Sequence, residues 1–140
     1  MGDEAYLAQL RSLAGPNVRF LGWTSPEAFF PEIDILVLPS VWPDPQPRVT
    51  FEAFSYGVPV IGSRAGGIPE EIDEGRTGWL FDAGSAEALA EVIAARLTDR
   101  ADRNVDPQAF GERLARLDPE IVLAQYEQVF EAALARRRAA

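Results

Sequence analysis

The sequence contains no cysteine, no histidine and no lysine. Without cysteine there is neither a disulfide framework nor a thiolate metal site, and nothing demands an oxidising compartment. Without histidine the commonest general base and the commonest zinc ligand are both missing, so acid–base chemistry falls to carboxylates or to another polypeptide. No apolar run approaches the ~20 residues that span a bilayer, and the opening MGDEAYLAQL lacks the basic and apolar regions of a signal peptide. These absences lead to the expectation of a soluble, cytoplasmic protein. Positive charge is scarce as well: 13 basic residues, all arginine, against 22 acidic ones leave a net charge of −9. A field of that sign repels phosphate polymers and anionic lipid, so no nucleic acid is expected as a partner and a small anion needs a local site.

What is present suits one globular core, since the chain has 140 residues and is 47% hydrophobic. Tyr6, Leu7, Leu10 and Leu13 recur at helical spacing, and Gly15-Pro16 closes that helix. NVRFL, residues 17–21, favours a strand, and Ser25-Pro26-Glu27 opens a brief helix through Phe30. IDILVLPS, residues 33–40, is continuously apolar up to Pro39-Ser40, as expected of a parallel strand covered on both faces. A helix over 48–56 with Gly57 as its C-terminal cap, a strand at 58–62 and another at 77–81 follow. From Ser85 the pattern turns helical through Leu89, Val92, Ile93 and Leu97. Residues 98–106 read as a linker, and a final helix from Asp118-Pro119 carries Val122, Tyr126, Val129, Phe130 and Ala133 as an apolar stripe. Short strands alternating with helices predict an α/β fold built on a parallel sheet.

Chemistry concentrates in WPDPQPRVTFEAFSYGVPVIGS, residues 42–63. In an open parallel sheet ligands sit beyond the carboxyl ends of the strands, where the 41–47 loop emerges. A helix starting at Arg48 leaves its first amides without intrahelical partners, and its dipole favours an anion there. Pro47 loses nothing by lacking an N–H at a helix start. The amides of Arg48, Val49 and Thr50, with the Arg48 guanidinium, are the candidate anion donors. Asp44 and Glu52 are placed to reach two ends of one ligand; equally, Asp in Pro-Asp-Pro suits a turn and Glu on a helix suits solvent. Glu52 stands among apolar Phe51, Ala53 and Phe54, which predicts a carboxylate drawn toward the core, where lack of a partner is costly. Gly66-Gly67 suits either close backbone approach to a ligand or a tight turn into a helix. Of the tryptophans, Trp23 and Trp79 are expected in the core and Trp42 beside the loop.

Taken in order, PSVWPDPQPRVTFEAFSYGVPVIGSRAGGIPEEIDEGRTGWLF resembles the C-terminal domain of the group-1, family 4 retaining glycosyltransferases of GT-B architecture. The likeness covers about residues 3–98 and, loosely, the helix around Tyr126. It implies a Rossmann-like parallel sheet with flanking helices over 1–100, binding the donor, and a C-terminal helical tail over 101–140. It further implies that Asp44 contacts the donor sugar, that Gln46, Pro47, Arg48, Val49 and Thr50 hold sugar hydroxyls and diphosphate, and that Glu52 binds the ribose. Gly66 and Gly67 occupy the family's glycine turn, followed by Glu70. The substrate is then a nucleotide diphosphate-sugar such as a UDP- or GDP-sugar, with no metal and no cofactor expected.

Two positions depart from the family pattern: the first acidic residue is usually Glu, longer than Asp by one C–C bond, ~1.5 Å, and Pro47 stands where many members have Gly. The resemblance also implies an N-terminal domain and opening strands that this chain lacks, so a missing domain or another chain is an expected partner, self-association is expected, and the chain alone is expected to be inactive. The other readings are a non-catalytic nucleotide-binding or protein-interaction module and a GT-B nucleotide-sugar epimerase relative.

Overall fold

A computed structural model of the chain describes residues 4–98 and 105–139. Helix α1, Glu4–Leu13, precedes a short α2, Pro26–Phe29, and a 3-10 turn, Phe30–Glu32; strand β1, Leu36–Leu38, then leads to α3, Arg48–Ser55. Strand β2, Val60–Ser63, α4, Ile68–Glu71, and strand β3, Gly78–Phe81, come next, followed by α5, Ala86–Thr98, α6, Pro107–Ala115, and α7, Pro119–Ala139. The strands lie side by side in chain order and all run parallel, with Leu36 opposite Val60 and Val60 opposite Gly78. Parallel neighbours require crossovers, which the segments carrying α3 and α4 supply. The α/β, Rossmann-like expectation describes this architecture.

Side chains alternate across the sheet, and each face has its own core. On one face Leu36, Val60 and Leu80 pack with Ala53 and Phe54 of α3, Ile68 of α4 and Phe110 of α6. On the other, Ile61, Trp79 and Phe81 meet Leu89, Val92 and Ile93 of α5, and the Arg96 guanidinium lies 4.8 Å from the Trp79 ring centre. The helix of the C-terminal region, α6, thus joins the core of the sheet, its Phe110 ring 5.3 Å from that of Phe54. Gly57, at φ +70, ends α3 in the left-handed conformation that its lack of a Cβ permits.

Three expectations fail for one reason: an apolar segment is buried only if something lies against it. Residues 17–21 form no strand, because a strand is made by pairing and no described strand runs beside them; Val18, Phe20 and Leu21 are exposed. Trp23, expected in the core, follows that unpaired segment and is 91% exposed. The 33–40 run pairs only at Leu36–Leu38, and Val37 stays partly open because α5 lies over β3 rather than β1. The expected final helix is present as α7, and its apolar stripe is exposed at Tyr126, Val129 and Phe130. The expected linker falls largely on residues 99–104, outside the described residues.

Polar contacts fix α6 in place. Arg76 bonds Asp106 at 2.7 Å, Asp73 at 2.9 Å and Glu112 at 3.3 Å, and the Asp106 amide returns to the Arg76 carbonyl. Its hydrogen bonds to Asp106, then Glu112 and Asp73, stabilise the guanidinium's charge and raise its pKa, while Arg76 holds the Asp106 carboxyl below its usual range. One residue therefore ties the 73–77 turn to the cap of α6. Arg76→Ala is expected to lower the melting temperature and to speed amide exchange in α6 before β2; unchanged exchange in α6 would show the cluster to be decorative.

Candidate functional site

Because β1 and β2 are parallel, the loops after them emerge at the same end of the sheet, and they touch. Ser63 Oγ, fully buried, donates to the Ser40 carbonyl at 2.6 Å, and the Gly67 amide donates to the Asp44 carbonyl at 2.8 Å. A Cβ on Gly66 would run into the Asp44 backbone, and one on Gly67 into the Pro45 carbonyl. The close approach expected of this glycine pair is therefore made, at least in part, to the 43–45 segment. Gly62 lets α4 sit down on β2 in the same way, since a Cβ there would lie 2.6 Å from Ile72.

Within the loop, Asp44 Oδ1 accepts the Gln46 amide at 3.0 Å, so its carboxylate stabilises a turn as well as standing near the helix start. Pro47 is buried and serves as N-cap of α3 at φ −69, with no side chain capping the helix. The Thr50 amide bonds the Pro47 carbonyl at 3.1 Å, which removes it from the three expected donors. Arg48 and Val49 keep theirs, being the first two amides of the helix. The Thr50 side chain is fully buried, and Val49 packs partly against the core.

Glu52 is not drawn into the core as its apolar neighbours suggested. Its side chain is 38% exposed and lies 3.8 Å from the Arg48 guanidinium, one turn back. The reason is helical geometry: Thr50, Ala53 and Phe54 take the inner face, which leaves Arg48, Glu52 and Ser55 outside. Gln46, Arg48 and Glu52 come together with Phe51, Ser55 and Leu117 around a cavity of about 310 Å³. A second cavity of about 220 Å³ shares Gln46, Phe51 and Leu117 and adds Pro45, Gly67, Glu70, Glu71, Arg113 and Arg116. Asp44, Pro47, Val49, Thr50 and Gly66 line neither, nor does Trp42, which is 76% exposed.

The buried carboxylate of this region is Glu71, which sequence reasoning missed. It is 6% exposed, and neither oxygen has a hydrogen-bond partner. Burial pushes its carboxyl up to about 7; the neighbouring Thr50 hydroxyl opposes the rise, and the charges of Asp44 and Glu70 add to it. No hydrogen bond of good geometry joins Glu71 and Thr50, whose Oγ1 is also without a partner. The signal was in IPEEI: Ile68 and Ile72 mark the inner face of α4, and a residue three places after Ile68 shares it. Arg113, Arg116 and Leu117 were missed because they arrive from the C-terminal region through tertiary packing. Among the described residues no group of three or more acidic side chains is placed to hold a metal ion, and no helix is long and apolar enough to cross a membrane.

Residues 1–99 match the family described as glycosyl transferases group 1. The chain belongs to this family. A sulfoquinovosyl transferase of Arabidopsis thaliana is 38% identical over 125 residues, covering 84% of this chain and 24% of that protein. The chain thus spans about a quarter of the length of that glycosyl transferase. The Anabaena protein HepE, solved in complex with UDP-glucose, superposes with a TM-score of 0.77 at 25% identity over 94% of this chain and 38% of its own. Sucrose-phosphate synthase from Thermosynechococcus elongatus gives 0.71 at 28% identity, over 95% of this chain and 34% of its own. This group 1 chain has the fold of one sheet domain of those GT-B proteins.

Proposed function

We propose that the chain forms the donor-binding part of a retaining glycosyltransferase, which moves a sugar from a nucleotide diphosphate-sugar to an acceptor. The observation that carries this reading is the likeness to a protein solved with UDP-glucose, joined to free helix-start amides at the carboxyl end of a parallel sheet. Asp44 contacts the sugar, Gln46 and the backbone of Arg48 and Val49 line the sugar and diphosphate, and Glu52 binds the ribose hydroxyls, while the Thr50 amide stays with the Pro47 carbonyl. Gly66 and Gly67 hold the loop at its working height. As the glycosidic bond to the diphosphate breaks, negative charge grows on the departing phosphate, where the Arg48 and Val49 amides and the Arg48 guanidinium stabilise it without a metal. Arg48 must exchange Glu52 for phosphate to do so. An exposed ion pair contributes about 0–1 kcal/mol, less than a charge-assisted bond to phosphate at about 1.5–3 kcal/mol, so the exchange is favourable. Among the described residues the outer edge of β1 has no strand partner and the stripe of α7 is exposed, which supports the further reading that the chain self-associates or meets another segment.

The test is calorimetric titration of the chain with UDP and GDP. Wild type is expected to bind one of them, and Glu52→Gln to weaken it by about 1–3 kcal/mol, the scale of a charge-assisted hydrogen bond. Melting without ligand should barely move, because Glu52 is half-exposed. Equal affinities for the two proteins would remove Glu52 from the ribose; no binding of either nucleotide would overturn donor binding by this chain.

A further inference from the structure

We propose that Glu71 is a proton-dependent latch beneath the 43–50 loop: as the neutral acid it allows α4, the loop and the start of α3 to close on one another, and as the carboxylate it drives them apart. The geometry is a sealed carboxyl with no partner, in the wall of the cavity that the loop, α4 and α6 share. The loop is joined to the α4 side by the Gly67 amide on the Asp44 carbonyl, at glycines that leave no slack. Anything that adds repulsion between the two therefore strains that joint first.

The groups facing Glu71 make ionisation unfavourable in the closed state. Asp44 on the loop and Glu70 on α4 are acidic, and Thr50 on α3 offers only a hydroxyl. Arg113 of α6 and Arg116, which caps it, line the same cavity, but the Arg113 Nη1 is occupied by the Glu70 carbonyl at 2.8 Å, and neither oxygen of Glu71 receives a hydrogen bond from these guanidiniums. Burying a charge without a partner is costly, and opening the loop lets water reach it. Closed, the group titrates near 7; solvated, near its ordinary 4.5. Between those values the closed form holds a proton that the open form has lost, so opening grows more favourable as pH rises, and above about 7 the effect levels off.

The experiment is amide hydrogen exchange of the full chain across pH 5 to 8, expressed as protection relative to the intrinsic rate at each pH. Protection of the Gln46 and Gly67 amides should fall roughly tenfold or more between pH 5 and 7 and then flatten, while β2 amides such as Ile61 fall much less. In Glu71→Gln, which keeps the shape of the neutral acid, protection should stay level. A flat wild-type profile overturns the latch whatever the variant does. An equal fall in β2 makes Glu71 a global stability determinant instead, and a fall that persists in Glu71→Gln assigns the proton to Asp44 or Glu70; either result rejects the proposal. UDP binding that weakens as pH rises from 5 to 7 and then levels off is a consequence that rests on the donor reading. Exchange that behaves as stated beside absent UDP binding would retain the latch and reject that reading.

Discussion

Gly67→Ala is expected to dislodge the 43–47 loop and to cost both stability and ligand affinity. Gly67 has ordinary helical dihedrals, φ −85 and ψ −6, so the effect does not come from backbone strain. It comes from the Pro45 carbonyl, which occupies the space a Cβ would need. Backbone cannot swing aside as a long side chain does; either the loop or the start of α4 must shift, and overpacking of this kind costs about 1–3 kcal/mol. The shift also pulls on the hydrogen bond from the Gly67 amide to Asp44. On the donor reading, displacement by about 1 Å of the groups that hold a ligand should weaken UDP by tenfold or more. Thermal melts and a UDP titration check the two parts separately. A variant with wild-type melting would show that the loops have room to spare. Lowered melting with unchanged UDP affinity would show that the loop and the ligand are independent.

Phe54→Ala is expected to produce the largest loss of stability. Phe54 is 2% exposed and stands where three elements meet: its own α3, the sheet and α6 through Phe110. Truncation removes the apolar transfer energy of the ring and leaves a cavity that rigid neighbours fill only in part, about 3–5 kcal/mol in sum. For a chain of this size that corresponds to a fall in melting temperature of roughly 10–20 °C. Phe110→Ala should show much of the same loss, and the double variant should fall short of the sum, since both rings line one hole. Full additivity would mean that the two rings contribute independently and share no cavity. The two variants also separate fold from site, because Phe54 lines neither cavity beside the loop.

The elements of the sheet were legible because their signals are local. A run such as VPVIG is apolar and β-branched, Gly57 marks a helix end and Ser85 a helix start, and each of these depends on neighbours a few residues away. The glycine turn and the spacing of Asp44 and Glu52 were legible for the same reason. What sequence could not decide was which apolar residues find a partner. Trp23 and Trp79 look alike in sequence; Trp79 lies on a paired strand under α5, whereas Trp23 follows a segment with no neighbour. Glu52 was expected to be drawn toward the core and is half-exposed, whereas Glu71, for which nothing was expected, is buried; each is placed by the face of its helix rather than by its immediate neighbours.

The sequence by itself determined the α/β class, the order of the three paired strands and the main helices around them, the position of the loop at a helix start and the family pattern, all of which follow from short-range periodicity and residue type. Only the tertiary structure decided that Arg113 of α6, with Arg116 and Leu117 just after it, closes the candidate site, and that the unpartnered carboxylate of this region is Glu71. Those outcomes depend on which surfaces meet between segments far apart in the chain, as between Glu70 and Arg113, 43 positions apart. Burial is a property of such meetings: a carboxylate is desolvated by whatever packs over it, and no pattern within its own helix specifies what that will be.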